Sequence, residues 1–445
     1  MSSGKGAPTI TNSGDLEAGQ RMFELCKELW PLNRSLTGPG NRETLQILAR
    51  EFPEIEIFEV PSGVEAFDWN VPQEWSVNEA WIKGPAGEVI ADFSVNNLHL
   101  VGYSSPVHAR LSLEELQSFL HTLPAQPDAI PYVTSYYNQT WGFCISENQR
   151  QGLAPGTYEV LIDSKLFSGA MSYGEIFLPG ENKSEVLLST YICHPSMANN
   201  ELSGIAVSLQ LARDLKEMKQ RENSYRVLFL PETIGAIYYL SQNLANLQEN
   251  VIAGYVVTCV GDERGFSYVP SRKGDSYADK VAHYVLDGLK SEVTFYEWKD
   301  RQSDERQYSA PLVDLPVGSI MRSKYGSYPE YHTSLDTLGD VVTPAGLAGA
   351  RNIYLEALRI IEANFKPLAT TFCEPQLGKR GLYPNIGKKG VYEDIRVLRD
   401  LLSWSDGSIS LLEIAQKSGH DFWALHESAT LLLNEGLVQN NSVRT

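Results

Sequence analysis

Residues 184–215 read SEVLLSTYICHPSMANNELSGIAVSLQLARDL, and this stretch decides the fold. Residues 186–192 are a short apolar run that predicts a buried strand, and residues 205–215 are apolar and long enough for a helix. The polar loop between them carries His194 and Glu201. It therefore follows the carboxyl end of a strand, where open α/β sheets place their binding sites. An ordinary loop with a capping residue and a surface histidine is the alternative interpretation.

Composition limits the class of protein. A length of 445 residues indicates two or three domains, and 42% hydrophobic residues are enough for a sizeable core. The 37 basic and 55 acidic residues give a net charge of −18, which argues against binding to nucleic acid or to an anionic membrane. Five scattered cysteines predict no disulfide framework. Without an apolar leader or an apolar run of membrane length, the sequence predicts a cytoplasmic protein.

The order of patterns along the chain predicts three domains. Residues 15–55 have helical spacing and join residues 165–370, where strands and helices alternate, in a doubly wound, mainly parallel α/β domain. Residues 56–164 are rich in short strand patterns, turns and aromatics, which predicts an inserted β-rich domain. Residues 385–445 predict a winged-helix domain. The α/β prediction uses strands at 175–178, 186–192, 225–230, 251–260 and 317–321, with helices at 205–217, 234–247, 276–289 and 344–363.

The predicted winged helix carries little basic charge. Four basic residues, Arg396, Arg399, Lys417 and Arg444, stand against eight acidic ones between residues 392 and 445. Nucleic-acid binding needs a basic face, so a packing or protein-partner role is favoured over DNA binding. Short edge strands in the β-rich insertion are compatible with a homo-oligomer.

Four further stretches carry polar side chains to positions that a sheet would bring beside His194. Two follow predicted strands directly, and two lie in loops before and after the strand predicted at 317–321. Because the carboxyl ends of parallel strands meet at one edge of a sheet, we expect these side chains to lie close together. They are Glu232, Asp262, Arg306, and His332 with Asp336.

These residue types predict a zinc site with a general base. Zinc binds histidine nitrogens and carboxylate oxygens, and a catalytic site leaves one position for water. His194 and His332 are expected to supply nitrogens, and Glu201 and Asp262 to supply oxygens. Bound zinc lowers the pKa of water to about 7. Glu232 is then expected to take the proton of that water as general base.

Other polar side chains have supporting roles in this hypothesis. Asp336 is expected to accept the second ring N–H of His332, since ligand histidines usually have such a partner. Arg264, Arg306 or Tyr331 is expected to bind a substrate carboxylate or to stabilise the oxyanion. Simpler interpretations remain open: a helix cap for Glu232, a turn residue for Asp262, and a loop histidine bonded to Asp336 for His332.

The stretches CHPSMANNELSG, FLPETIGAIYYL, VGDER and YHTSLDT resemble, in this order, the signature stretches of zinc-dependent exopeptidases of the aminopeptidase kind. With its β-rich insertion and winged-helix tail, the chain resembles, over residues 15–445, bacterial aminopeptidase-like proteins found in polysaccharide and secondary-metabolite pathways. The resemblance implies a zinc-exopeptidase-like fold, bound zinc, and hydrolysis of an amide or peptide bond.

Two positions depart from the pattern of that family. The aspartate that bridges two metal ions in the family falls on Asn200 here, and the second glutamate of its Glu-Glu pair falls on Thr233. A neutral asparagine is a weaker bridge, and threonine is a poor zinc ligand. We therefore expect one zinc ion rather than two.

The sequence thus predicts a single-zinc hydrolase that cleaves an amide or peptide bond in a small-molecule or peptide-like substrate. The ion is expected to bind His194, His332 and the carboxylate of Glu201. The side-chain oxygen of Asn200 is the alternative to Glu201 as third ligand. Asp262 is expected to be a ligand or to lie just outside the set. The alternative is a non-hydrolytic scaffold that binds a small molecule or a protein. A regulator whose tail binds DNA fits the acidic tail least well.

Overall fold

The strand predicted at 186–192 is present as Glu185–Tyr191, and all seven of its residues are buried. The computed structural model describes residues 13–382 and 391–441. Within them the chain divides into a larger compact unit, which ends at residue 354 and excludes 280–289, and a smaller unit formed by 280–289 and the residues from 355 onward.

The strands are short outside the central sheet and the β-rich insertion. In chain order they are β1 (Glu56–Pro61), β2 (Glu65–Ala66), β3 (Trp69–Asn70), β4 (Glu74–Lys83), β5 (Val89–Asp92), β6 (Val107–Ser112), β7 (Leu120–His121), β8 (Phe143–Cys144), β9 (Thr157–Phe167), β10 (Ala170–Leu178), β11 (Glu185–Tyr191), β12 (Ser224–Leu230), β13 (Val251–Val256), β14 (Phe266–Val269), β15 (Val293–Phe295), β16 (Val317–Met321), β17 (Pro367–Ala369) and β18 (Val438–Asn440).

The α-helices follow the predicted pattern in the α/β part and in the tail. In chain order they are α1 (Ser13–Leu29), α2 (Pro39–Glu51), α3 (Leu113–Leu116), α4 (Glu147–Gln151), α5 (Ser203–Glu217), α6 (Ile234–Asn250), α7 (Tyr277–Asp287), α8 (Glu305–Tyr308), α9 (Pro344–Ala363), α10 (Val391–Trp404), α11 (Leu411–Ser418) and α12 (Phe422–Asn434).

The central sheet has eight strands in the order β1-β10-β12-β11-β13-β16-β14-β15. Its middle strands, β12, β11, β13 and β16, are parallel. The strand β10 pairs antiparallel with β1 and β12, and β14 pairs antiparallel with β16 and parallel with β15. From β11 the chain passes first to β12 on one side and then to β13 on the other. The carboxyl ends of these three strands therefore form a topological switch point, the usual place of a binding site. The predicted, mainly parallel α/β fold is confirmed.

Helix α5 packs closely against this sheet. Its apolar side chains, including Ile205, Leu209 and Leu211, are fully buried, and each such side chain contributes roughly 1.5–3 kcal/mol to folding. At Gly204 a Cβ atom would lie 2.3 Å from the carbonyl oxygen of Val257, so glycine permits the close approach at the start of the helix. The loop that carries His194 is thereby held against the end of β13.

In the region of the predicted insertion, four strands form an antiparallel sheet in the order β5-β4-β9-β6. The strand β1, however, pairs with β10 in the central sheet, with Glu56 opposite Glu175. The boundary drawn at residue 56 is therefore too early, because the central sheet takes the first strand of the predicted insertion before the chain leaves it.

The predicted strand at 251–260 is also corrected, since β13 ends at Val256. The chain turns there, and Cys259 adopts a φ of +52°, which is not an extended strand conformation. The short strands β14 and β15 were not predicted, because runs of four and three residues carry little periodicity.

The smaller unit contains the helices α10, α11 and α12 and the strand β18, which is the element order of the predicted winged helix. The strand β18 pairs antiparallel with β17, which lies before the boundary predicted at residue 385. Residues 383–390 and 442–445 of the predicted winged-helix domain lie outside the described residues. In the described part of the chain, no helix combines the length and the apolar character needed to cross a bilayer.

Candidate active site

His194 lies just beyond the end of β11, and Glu201 holds one side of its imidazole. Glu201 Oε2 lies 3.0 Å from His194 Nδ1, and it also accepts the backbone N–H groups of Cys193, at 2.6 Å, and of His194. A carboxylate only accepts hydrogen bonds, so neutral His194 carries its proton on Nδ1 and keeps the lone pair of Nε2. Burial lowers the pKa of His194, but the hydrogen bond and charge of Glu201 outweigh burial and raise it above its usual value.

Arg34, from the loop between α1 and α2, completes this arrangement. Its Nε donates to Glu201 Oε1 at 2.5 Å, and its Nη1 donates to the carbonyl oxygen of Leu29 at 2.6 Å. Both side chains of the Arg34–Glu201 pair are 0% exposed. A buried carboxylate needs a partner charge, which Arg34 supplies. Sequence reasoning missed Arg34, since a single arginine between two helices carries no chemical signal by itself.

His332 reaches the same edge of the sheet from the loop that follows β16. Its ring centroid lies 5.4 Å from that of His194, and its Nε2 is buried with no hydrogen-bond partner among the described residues. Burial, with the charge of His194, lowers the pKa of His332 to about 3, so the ring is neutral and its lone pair is available. Its φ of +55° is a strained backbone conformation of the kind that collects at functional sites.

Glu232 follows β12, and its carboxylate faces His194. Oε1 accepts a hydrogen bond from the hydroxyl of Ser303 at 2.8 Å, and Oε2 lies 3.8 Å from His194 Nε2. The side chain is 23% exposed, so solvent reaches it. The N-cap of α6 is Thr233, and no side chain caps that helix. The structure therefore gives no support to the helix-cap interpretation of Glu232.

An acidic loop that includes Ser303 lies behind Glu232. Asp304 Oδ1 accepts the backbone N–H of Thr233 at 2.7 Å, and Asp304 Oδ2 is buried without a hydrogen-bond partner among the described residues. Burial, followed by the charge of Glu232, raises the pKa of Asp304 well above its usual value. The sequence pattern singled out Arg306 in this loop, but nothing in it predicted the contact of Asp304 with the peptide after Glu232.

The donors at this edge fit one ion. Within the described residues, ligand atoms of Cys193, His194 and Glu232 all lie within 4.8 Å of one another. They offer sulfur, nitrogen and oxygen, the donor types that zinc takes in proteins. His332 is not part of this closest group, although its unpartnered Nε2 is in the neighbouring ring. This donor set suits zinc.

The two predicted carboxylate ligands are directed elsewhere. The oxygens of Glu201 are taken by Arg34, by His194 Nδ1 and by backbone N–H groups. Asp262 Oδ2 accepts from Asn199 Nδ2 at 2.9 Å and from the backbone N–H of Ser323 at 3.0 Å. Its Oδ1 accepts the backbone N–H of Arg264 at 2.9 Å, so Asp262 is also a turn residue. The ligand prediction is corrected for both, because protein donors already occupy their oxygens.

Asn200 and Asp336 also have partners other than those expected. The side-chain oxygen of Asn200 accepts a hydrogen bond from the hydroxyl of Tyr191, so it is not a free ligand. Asp336 accepts the backbone N–H groups of Asn199 at 2.8 Å and Asn200 at 3.0 Å, and the hydroxyl of Tyr328 at 3.2 Å. The structure thus corrects the expected bond from His332 to Asp336. Asp336 instead fastens the loop that follows β11.

The remaining predicted residues line the surroundings of the histidines. Arg306 Nη2 donates to the hydroxyl of Thr233 at 2.9 Å and is exposed. Tyr331 stacks on His332 with ring centroids 3.9 Å apart and an interplanar angle of 12°. Arg264 forms an ion pair with Glu330 at 2.8 Å. Their expected roles in substrate binding stay predictions.

The β-rich insertion contributes a cover to the two histidines, which sequence reasoning missed. The ring centroid of Tyr132 lies 5.3 Å from that of His194 and 5.1 Å from that of His332. The backbone N–H of Tyr132 donates to the carbonyl oxygen of His332 at 2.9 Å, and the backbone N–H of Ser334 donates to that of Ile130 at 2.9 Å. Insertion and histidine loop are thus joined by backbone hydrogen bonds directly above the site.

Comparison of the sequence with known protein families assigns the chain to one of them. A family model described as a domain of unknown function, DUF4910, matches residues 23–364. The chain belongs to the DUF4910 family. A second model, for a winged helix-turn-helix, matches residues 366–440 of this DUF4910 protein and confirms the predicted tail. The match to the winged helix-turn-helix family begins at residue 366, before the predicted boundary at 385. It includes β17, which pairs with β18 of the tail.

One curated relative spans almost the whole chain. A proposed polysaccharide biosynthesis protein with an aminopeptidase-like domain, from Clostridium acetobutylicum, is 44% identical over 435 residues, which cover 97% of this chain and 98% of the relative. A crystal structure of a proposed peptidase from Clostridium acetobutylicum is 42% identical and superposes with a TM-score of 0.89, covering 96% of this chain and 97% of that one.

More distant structures show where the fold belongs. A zinc aminopeptidase from Bacillus subtilis matches 77% of this chain and 94% of its own with a TM-score of 0.56 at 12% identity. An M28 peptidase precursor from Shewanella amazonensis matches 82% of this chain and 99% of its own with a TM-score of 0.55, also at 12% identity. The larger unit of this DUF4910 protein therefore has the fold of zinc aminopeptidases, as the resemblance in the sequence implied.

Proposed function

We propose that the protein is a zinc-dependent hydrolase that cleaves an amide or peptide bond in a small or conjugated substrate. The observation that carries the proposal is the meeting of His194, His332 and Glu232 at the switch point of an aminopeptidase-like sheet. The contact from Glu201 to His194 Nδ1 supports it further. Zinc-binding histidines typically have a carboxylate on the ring nitrogen that does not bind the metal.

The chain's own residues supply the proton chemistry. His194 and His332 would hold the ion through Nε2, and bound zinc would supply a water of pKa about 7 and polarise the substrate carbonyl. Glu232 Oε2 takes the proton of the attacking water, while the hydroxyl of Ser303 keeps Oε1 in place. Glu232 then gives this proton to the departing nitrogen, so that the carboxylate is restored at the end of the reaction.

The surroundings favour a small or extended substrate. Tyr132 of the insertion lies over both histidine rings, which favours a small or extended substrate over a folded protein. Beside Tyr331, an open groove of about 410 Å³ lies between the insertion and the histidine loop. Its lining consists of Leu123, Ala125, Gln126, Gly326, Ser327, Tyr328, Pro329 and Tyr331. Aromatic and small residues of this kind suit a peptide-like or other partly apolar group next to the scissile bond.

The test compares Glu232→Gln with a matched exposed control, Glu249→Gln, on a panel of aminoacyl and acyl p-nitroanilides. We expect the zinc-loaded wild type to cleave at least one of these amides. Glu232→Gln is expected to lower kcat by about 10²–10⁴-fold with unchanged zinc content, because it removes the base and keeps the shape. Glu249→Gln should match the wild type. Equal activity of Glu232→Gln and the wild type would contradict the proposal.

A second candidate is a non-hydrolytic scaffold that binds a small molecule or a protein. It is favoured by Asn200 and Thr233, which offer neutral side chains where the family resemblance implies charged ligands. Elemental analysis of protein purified without chelator separates the two candidates. Absence of zinc, together with binding of an amide without turnover, would favour the scaffold.

For the winged-helix unit we favour a packing or protein-partner role over DNA binding, because between residues 392 and 445 eight acidic residues stand against four basic ones. Salt-sensitive binding to duplex DNA that disappears when residues 390–445 are deleted would contradict this role. The cytoplasmic location and the homo-oligomer stay predictions.

A further inference from the structure

The two imidazoles of the proposed zinc site leave one ligand position to fill. Catalytic zinc normally has three protein ligands and one water. Glu232 has to stay off the ion if it is to act as base. Glu201 and Asp262 are already hydrogen-bonded to other groups of the protein. Among the described residues, the remaining side chain grouped with His194 and Glu232 is that of Cys193.

Cys193 has the position and the chemistry for this role. Its Sγ belongs to the group of donors that lie within 4.8 Å of one another with His194 and Glu232. The side chain is shielded from solvent, with the residue 1% exposed. Thiolate sulfur is a preferred zinc ligand, and Cys–His sets with an open position occur at catalytic zinc sites.

A backbone donor supports a charged sulfur at this place. The N–H of Glu232 donates to Cys193 Sγ at 3.3 Å. Hydrogen bonds of this kind stabilise metal-bound thiolates and orient them. This N–H belongs to Glu232, the proposed base. The hydrogen bond therefore fixes the sulfur relative to the residue that carries the carboxylate.

We infer that Cys193 is the third protein ligand of the ion, which gives a set of Cys193, His194 and His332 with Glu232 as the free base. The inference rests on the proposed function. On binding, the thiol releases its proton to solvent and the sulfur forms the bond to the metal. One thiolate and two neutral imidazoles leave the bound divalent ion with a net charge of about +1, which still favours ionisation of its water.

Cobalt(II) substitution tests this ligand without a substrate. The full-length protein is freed of metal with a chelator and titrated with cobalt(II), and its absorption spectrum is recorded. We expect the near-ultraviolet charge-transfer band of a cobalt–thiolate bond in the wild type and its loss in Cys193→Ser. Cys259→Ser, which alters another buried cysteine at the same sheet edge, should keep the band.

Each outcome separates this inference from the proposed function. Cobalt binding without the thiolate band in the wild type would overturn the role of Cys193 and leave the metal-dependent hydrolase standing. Failure to bind cobalt at all would overturn both. If Cys193→Ser does not fold, cobalt–sulfur scattering in the X-ray absorption spectrum of the wild type and of Cys259→Ser decides the same question.

Discussion

Replacement of Arg34 by methionine removes the charge that Glu201 depends on. In the wild type both side chains are 0% exposed, and Arg34 Nε lies 2.5 Å from Glu201 Oε1. Methionine keeps much of the volume and leaves the carboxylate buried without its partner. Breaking a buried ion pair in this way costs about 3–5 kcal/mol. We expect Arg34→Met to lower the free energy of unfolding of the larger unit by that amount.

Urea unfolding followed by tryptophan fluorescence measures the change. All tryptophans except Trp404 and Trp423 belong to the larger unit, so the signal reports mainly on it. The matched control is Arg50→Met, which breaks an ion pair with Glu28 whose side chains are 55% and 42% exposed. Loss of such an exposed pair costs at most about 1 kcal/mol.

A double variant sharpens the test. Adding Glu201→Gln to Arg34→Met leaves no unpaired charge, so part of the lost stability should return. The reasoning would be refuted if Arg34→Met were no less stable than Arg50→Met. That result would mean that Glu201 carries no charge in the folded protein or is reached by water.

Three further changes test the histidine loop and its cover. His332→Ala is expected to lower bound zinc at equal free zinc, as measured by elemental analysis after dialysis, and unchanged zinc would contradict its role. Burial raises the pKa of Asp336 from 3.8 to about 6, so the folded protein holds this proton more tightly than the unfolded chain. The contribution of Asp336 to stability is therefore full below about pH 4 and is lost as pH rises through about 6. Asp336→Asn should reduce the fall of the unfolding free energy between about pH 4 and 6, as measured by urea unfolding at several pH values. An unchanged slope would contradict the role of Asp336 in this pH dependence. Tyr132→Ala is expected to speed the modification of His194 and His332 by diethyl pyrocarbonate, because it uncovers both rings. Tyr137→Ala, which changes an exposed residue of the same loop, should leave the rate unchanged. Equal rates in the two variants would show that Tyr132 does not shield the histidines.

Local patterns sufficed for the architecture of the larger unit and of the tail. The bounds of β16 and α9 agree with the predicted ones, because apolar periodicity is a property of neighbouring residues. His194 and Glu232 could be singled out for the same reason, since each directly follows an apolar strand. The sequence by itself thus determined the fold class and two of the polar groups at the switch point.

The partners of those groups were decided only by the tertiary structure. Glu201 meets Arg34 across 167 positions of sequence, and the non-helical backbone of Asn200 and Glu201 before α5 accompanies this contact. Asp336 binds the backbone of the β11 loop rather than His332, although it lies four residues from that histidine. A pattern of residue types does not specify the direction in which a loop side chain points. That direction depends on backbone angles and on distant donors, which only the folded chain brings together.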